Sequence, residues 1–486
     1  MKKEKALENT IQRCRERNII IPTYKQMRNP ELVPEKIKDK LKNISLWDIN
    51  PLNLFRITWK NEPVPTGGGF GNVNFIEFPS ELTGVKARIF MLLGKFFPTG
   101  AHKVGASFGP IVTRLVSGEF DPTCQKALWP STGNYCRGGA YVSRLLGCDS
   151  IAILPEEVSI ERFEWLKKVG AEIFATKGGE SNVKEIYDKV KELEEERADE
   201  VVNMNQFSEI VNPMWHYAVT GAAMDEVFHQ QKREKDRLTA VFLTQGSAGT
   251  LGCTDYLRER YPGITICSGE ALQCPTLLEN GYGEHRIEGI GGKHIPWINN
   301  IRNLDIIAGI DDNIPMHLMR LFNEPVGHDY LKAHGIPEEI VDKLHLLGIS
   351  GIANLVGAIK TAKYYEMNEN DVVFTVSTDS MEMYQSRVVE YREKWGIYSE
   401  TMAAVDFESR LESIVTDHML ELTYPEKRRI HNLKYFTWIE QQDKTVEELD
   451  AQWYDNNYWL DHYHKVDEWD KKIEEFNERV GLLKEL

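Results

Sequence analysis

The chain has no apolar run approaching the ~20 residues needed to cross a bilayer. Its start, Met1-Lys2-Lys3-Glu4-Lys5, continues into Glu8, Arg13 and Arg15 rather than into an apolar stretch, so no secretory signal is expected. The seven cysteines, at 14, 124, 136, 148, 253, 267 and 274, form no Cys-x-x-Cys pair, and their odd number argues against a disulfide framework. Positive charge is in deficit: 58 Lys and Arg stand against 74 Asp and Glu, a net charge of −16, with no basic cluster to form a nucleic-acid surface. No Walker loop and no Gly-x-Gly-x-x-Gly leading to a ribose-binding acid is present, which disfavours ATP and NAD. No metal site is expected, since His462 and His464, flanking Tyr463, have no third ligand spaced with them. The expectation is a cytoplasmic protein that meets neither membrane nor nucleic acid.

What is present is a chain of 486 residues, 42% hydrophobic, long enough to bury a large core in two or three domains. Apolar runs such as Ala87-Arg88-Ile89-Phe90-Met91-Leu92-Leu93, Ser150-Ile151-Ala152-Ile153-Leu154-Pro155 and Ile264-Thr265-Ile266-Cys267 alternate with helical patterns, which implies α/β architecture with mostly parallel sheets. Between Ser181 and Glu196, Val183, Ile186, Val190 and Leu193 recur at helical spacing among charges and predict an amphipathic surface helix.

Three turns carry candidate chemistry. In Phe97-Pro98-Thr99-Gly100-Ala101-His102-Lys103-Val104-Gly105-Ala106, one lysine stands between a glycine turn and small residues that leave room for a flat cofactor. An imine-forming lysine needs a lowered pKa, and His102 could supply part of that electrostatic push. About 30 residues on, Trp129-Pro130-Ser131-Thr132-Gly133-Asn134-Tyr135 reads as a strand end and a helix start, where unpaired N–H groups would hold a carboxylate, though the same residues also suit an ordinary N-cap. The strand Leu238-Thr239-Ala240-Val241-Phe242-Leu243-Thr244-Gln245 ends in Gly246-Ser247-Ala248-Gly249-Thr250-Leu251-Gly252, whose small residues let backbone N–H groups converge on a phosphate. Cys136, at a helix start, is a candidate thiolate, with packing the favoured reading. His285 and His294 are candidates for substrate contact or for shaping the Gly-rich turn between them.

In this order, these turns resemble the pyridoxal-phosphate enzymes of the tryptophan synthase β, cysteine synthase and threonine synthase superfamily. Gln206-Phe207-Ser208 followed by Asn212-Pro213, His216-Tyr217 and Thr220-Gly221 is similar to a cysteine synthase segment, and His285 with Glu288-Gly289-Ile290-Gly291 and Pro296 also matches; roughly residues 60 to 390 are covered. The resemblance implies two open, twisted, mostly parallel sheets flanked by helices and pyridoxal 5'-phosphate as cofactor. Lys103 would form the imine with it and carry the catalytic proton. Asn134 would bond the ring hydroxyl oxygen, and Gly246, Ser247, Ala248, Gly249 and Thr250 would bind the phosphate. Ser377, ending the strand Val372-Val373-Phe374-Thr375-Val376, would face the pyridine nitrogen, a role that Asp379 contests. Ser131, Thr132 and Gly133 would bind the substrate carboxylate, with Gln206 nearby. The chain departs from the pattern where Ala248 replaces a usual glycine, and where the acidic residue of tryptophan synthase β near the carboxylate turn gives way to Asn134-Tyr135, which disfavours indole.

The domain reading is an N-terminal helical extension over 1–65, a catalytic core over 66–390 whose smaller subdomain, roughly 105–220, is inserted in the larger, and an aromatic-rich helical extension over 391–486. Trp438, Trp453, Trp459 and Trp469 give that last segment too many aromatics for disorder, and it should pack on a subunit, on the active-site mouth or on the chain's own core. The expected activity is β-elimination or β-replacement on an amino acid with a β leaving group, in a homodimer or with a partner subunit. The alternatives are a lyase, thiolase or ammonia-lyase of the same cofactor class and, less favoured, a non-catalytic cofactor-binding subunit.

Overall fold

The computed structural model describes residues 2–131, 133–179 and 182–484. Eleven strands are formed among them: β1 Phe75–Phe78, β2 Arg88–Leu93, β3 Lys126–Pro130, β4 Asp149–Pro155, β5 Glu172–Thr176, β6 Val201–Asn203, β7 Arg237–Thr244, β8 Thr265–Ala271, β9 Ile306–Ile310, β10 Asp371–Ser377 and β11 Met419–Glu421. They make a seven-stranded sheet in the order β1-β2-β10-β7-β8-β9-β11 and a four-stranded sheet in the order β5-β4-β3-β6. The small sheet is wholly parallel. In the large one only the edge strands β1 and β11 run antiparallel to their neighbours.

The apolar runs explain the arrangement. β2, β9 and β10 are buried along their whole length, as strands covered by helices on both faces must be. A run of residues without alternation can be satisfied only by such two-sided cover. The expected amphipathic helix forms over Val183–Glu196 with Val183, Ile186, Val190 and Leu193 buried, while Ser181 lies outside the described residues.

Two helices bring the sheets together, Lys103–Ser117 and Asn134–Leu145. Gly138 permits their close approach: an added Cβ there would sit 3.0 Å from Ser107 Oγ and from the Val104 backbone. The turns that follow β2, β3, β7, β8 and β10 lie at carboxyl ends of parallel strands, the edge at which open α/β sheets take ligands.

The two ends of the chain pack on each other and on this core. The Asp470 carboxylate accepts hydrogen bonds from the backbone N–H groups of Tyr24 (2.6 Å) and Lys25 (3.0 Å), and the Asn477 side chain bridges Ile21 N (3.1 Å) and O (2.7 Å). The C-terminal segment also contributes β11, which pairs with β9 and closes one edge of the large sheet.

Candidate active site

Lys103 opens its helix directly after the turn 98–100, and it is anchored from below by His102, whose N–H donates to Thr378 O at 3.1 Å, tying the helix start to the end of β10. From there the lysine Nζ reaches Ser247 Oγ across the cleft at 3.2 Å. Ser247 Oγ in turn accepts from Asn212 Nδ2 (3.2 Å) and from the Gly249 N–H (3.3 Å), and Asn212 Nδ2 also donates to Gln206 O at 3.0 Å. Lys103, Ser131, Asn134, Gln206, Gly246 and Ser247 line one pocket, completed by Tyr135, Val183, Phe207 and residues 289–292.

Other expected site residues stand behind this lining. Ala248, Gly249 and Thr250 continue the loop, with Ala248 in the left-handed region at φ 64°. Gly133 is adjacent to the pocket, its N–H donating to Ser131 Oγ at 3.1 Å, and Thr132 lies outside the described residues. Ser377 is fully buried at the end of β10, donates to Asp379 O at 2.8 Å and is not among the lining residues. Asp379 is tied directly to the pocket wall: its Oδ2 accepts from Asn134 Nδ2 and from Tyr384 OH, both at 2.6 Å. Burial pushes the Asp379 carboxyl up, against the hydrogen bonds and the charges of Arg162 and Arg137. Asn134 is therefore held from both sides, since its Oδ1 accepts from Arg137 Nη1 at 3.0 Å.

On this geometry His102 and His294 depart from their expected roles, while Cys136 keeps the packing role favoured from sequence and His285 shapes its turn. His102 cannot supply a cation: burial, helped by the positive charge of Lys103, pushes its pKa down to about 3, so it is a neutral ring packed on Trp59 and His216. Cys136 is no thiolate, because burial raises it to about 12 and its Sγ donates to Gly133 O at 2.9 Å. His285 spends its Nε2–H on Gly291 O (2.7 Å), shaping the turn, while His294 sits outside the pocket lining among Tyr187, Phe207 and Trp438. Among the described residues no cluster of three or more His, Cys, Asp or Glu could hold a metal ion.

Sequence reasoning missed Arg162, which is buried within 3.4 Å of Glu288 and donates to Tyr384 OH at 3.2 Å. It packs so closely on the carboxylate-type turn that a Cβ on Gly133 would fall 2.2 Å from its Nη1. Within a charged helical stretch it carries no local signal; only the fold buries it.

The donor set fits a phosphorylated carbonyl cofactor. Among the described residues, the N–H groups of Gly246, Ser247 and Ala248 donate to no protein acceptor, and Gly246 and Ser247 line the pocket with the lysine. Backbone donors left without partners at a turn into a helix form an anion cradle. A primary amine 3.2 Å from that loop's hydroxyl is placed to condense with a carbonyl bound there.

Comparison with known proteins agrees. A profile of the pyridoxal-phosphate dependent enzyme family matches residues 69–322, and the chain belongs to that family. It is 25% identical over 352 residues to a cystathionine beta-synthase of Saccharomyces cerevisiae, covering 69% of this chain and 64% of the yeast enzyme, which is just under two thirds of that enzyme's length. It is 31% identical over 258 residues to a cysteine synthase of Staphylococcus aureus, covering 53% of this chain and 74% of the relative. In structure it is similar to a cysteine synthase of Entamoeba histolytica (TM-score 0.57, 21% identity, 69% of this chain and 92% of that one) and to an O-acetylserine dependent cystathionine beta-synthase of Helicobacter pylori (TM-score 0.53, 24% identity, 64% and 94%), which show the fold.

Proposed function

We propose that the protein catalyses β-replacement or β-elimination on an amino acid with a β leaving group, of the kind that its cysteine synthase and cystathionine beta-synthase relatives are named for. The observation that carries the reading is the meeting of Lys103 Nζ with Ser247 Oγ, 3.2 Å apart, in a pocket that Ser131 and Asn134 also line. When bound, pyridoxal phosphate supplies the electron sink that makes a substrate Cα–H acidic and its β-substituent expellable.

The remaining steps belong to the chain. The free N–H groups of Gly246, Ser247 and Ala248 and the Ser247 hydroxyl hold the phosphate, and Asn134, fixed between Asp379 and Arg137, orients the ring edge. Ser131 and Gly133 hold the substrate carboxylate, with Gln206 facing the same space. With substrate bound in this pocket, the Lys103 amine would be placed to take the proton of the substrate Cα and return it, as positioned acid–base catalysis requires. The small lining, with Val183 and Phe207, excludes water from the proton in transit. Homodimerisation and a cytoplasmic location accompany this reading; no helix among the described residues is long and apolar enough to span a membrane.

The test is the absorption spectrum of the holoenzyme with serine, cysteine, O-acetylserine and threonine added in turn, alongside turnover of Lys103→Ala. A visible cofactor band that shifts with one donor, and that is absent with all turnover in Lys103→Ala, is expected. Normal turnover in that variant would overturn the assignment.

A further inference from the structure

The helix that begins at Lys103 rests on the two ends of the chain. Tyr24 lies along it, with its ring edge-on to Phe108 at 5.9 Å between centroids and its hydroxyl so near the helix backbone that a Cβ on Gly109 would fall 3.1 Å away. Tyr24 opens the short helix Tyr24–Arg28, which Thr23 and Gln26 cap reciprocally. Two further N–H groups of its first turn, those of Tyr24 and Lys25, are taken by the Asp470 carboxylate at 2.6 and 3.0 Å. The segment is thereby bound through its backbone to the C-terminal helix Val466–Val480. All these contacts to Tyr24–Arg28 come from residues outside the 69–322 that match the family, apart from those of the lysine helix itself.

Met27, fully buried, carries this support towards the site. Its Sδ accepts the indole N–H of Trp215 at 3.3 Å. Trp215 ends the helix Val211–Trp215, and its ring lies too close to Gly105, two residues past Lys103, to leave room for a Cβ there. The same five-residue helix carries Asn212, whose Nδ2 donates to Ser247 Oγ at 3.2 Å, the hydroxyl that Lys103 Nζ meets. Trp215 thus touches the helix of the lysine and shares a helix with the residue that holds the lysine's partner. In an interior this densely packed, a displaced indole shifts both.

Resting on the reading of Lys103 as the imine-forming lysine, we infer that Met27 and Asp470 are positioning residues for it, acting through Trp215. A thioether is a weak acceptor, so the bond from the indole orients the ring more than it stabilises the chain. Condensation of the amine with a carbonyl depends steeply on approach geometry, and a misplacement of about 1 Å can cost about 100-fold in rate. The ends of the chain are in this way a part of the active site's support.

The experiment uses the full-length chain, stripped of pyridoxal phosphate and reloaded, as wild type, Met27→Ala, Met27→Leu, Asp470→Ala and Leu411→Ala, the last from a different buried cluster than the lysine helix. The rate at which the visible cofactor band appears reads imine formation, and Tm reads stability. Met27→Ala and Asp470→Ala are expected to slow the band about tenfold or more, and Met27→Leu, which keeps the volume and loses the sulfur, should slow it less. Because both residues act through Trp215, the double variant Met27→Ala/Asp470→Ala should be no slower than the slower of the two. Leu411→Ala should lower Tm and leave the rate as in wild type. Met27→Leu carries the test if Met27→Ala fails to fold by circular dichroism. Variants at 27 and 470 that lose Tm at a wild-type rate, a Leu411→Ala that slows the band as much, or a double variant whose effects multiply would overturn the inference and leave the Lys103 reading standing. A band that still forms in Lys103→Ala overturns that reading, and this inference with it.

Discussion

Ala248 holds a left-handed backbone conformation, φ 64° and ψ 4°, in the loop that leaves its N–H free for an anion. For a residue with a Cβ this costs about 1 kcal/mol or more, and the loop retains it because Gly249, packed against Asn212, and the Ser247 hydroxyl fix the chain on the C-terminal side. Ala248→Gly relieves the strain but adds about 0.5–1 kcal/mol of unfolded-chain freedom, so thermal unfolding of that variant should shift only slightly. Ala248→Val puts a branched Cβ in the same conformation and should cost about 2 kcal/mol with weaker cofactor retention; a valine variant with unchanged Tm and cofactor titration would contradict the left-handed loop. At this scale the sequence was most informative where chemistry dictates residue type: one lysine after a glycine turn, small residues at a strand end, Ser and Asn at a helix start. It was silent where burial decides. The neutrality of His102 and the position of Arg162 follow from what surrounds them in three dimensions, and local sequence carries none of that.

Among the elements, the helix Lys103–Ser117 shows how packing overrides propensity. Gly105 lies two residues past the lysine, and a Cβ there would fall 2.2 Å from the ring of Trp215, which is fully buried. Alanine would favour the helix by about 1 kcal/mol, but moving a buried indole costs about 1–3 kcal/mol. Gly105→Ala is therefore expected to lower Tm by a few degrees and to reduce turnover, because any shift of the helix moves Lys103 from Ser247; a stabilised variant in thermal denaturation would refute the contact. The strands and the helix Val183–Glu196 were legible because each is a run whose period or continuity has one physical solution. β11, three residues long and only partly buried, has no such pattern: it becomes a strand because β9 leaves an edge unpaired. In the same way the aromatic content of the last hundred residues signalled packing, while its partner, the wall around His294, is visible only in the fold.

Taken as a whole, the molecule buries ionisable groups of opposite tendency, and the balance between them sets how its stability varies with pH. Burial raises Asp255 and Glu270 to about 7 and Asp470 to about 6. From about pH 4, where these groups titrate in the unfolded chain, up to those values the folded chain keeps protons that the unfolded chain has released, so each makes stability fall as pH rises. The buried histidines act in the other direction. His102, His294 and His431 are lowered to about 3, 4 and 3, and burial lowers His216 well below its usual value too, so below about pH 6.5 the unfolded chain takes up protons that the folded chain refuses, and stability falls as pH drops. Between about pH 4 and 6.5 the two sets oppose each other and largely cancel. Above that window the histidines are neutral in both states and the carboxylates pull stability down with rising pH, while the buried Lys434 amine, which burial lowers well below its usual value, pulls the other way. Asp255→Asn preserves the acceptor for Asn300, which bonds the carboxylate at 2.7 Å, while removing the titrating charge. That variant should therefore remove one group's share of the fall in stability, most of it between about pH 4 and 7. A pH slope of Tm that Asp255→Asn leaves intact between about pH 4 and 7 would show that this carboxylate is ionised in the folded chain and that water or a counter-charge reaches it.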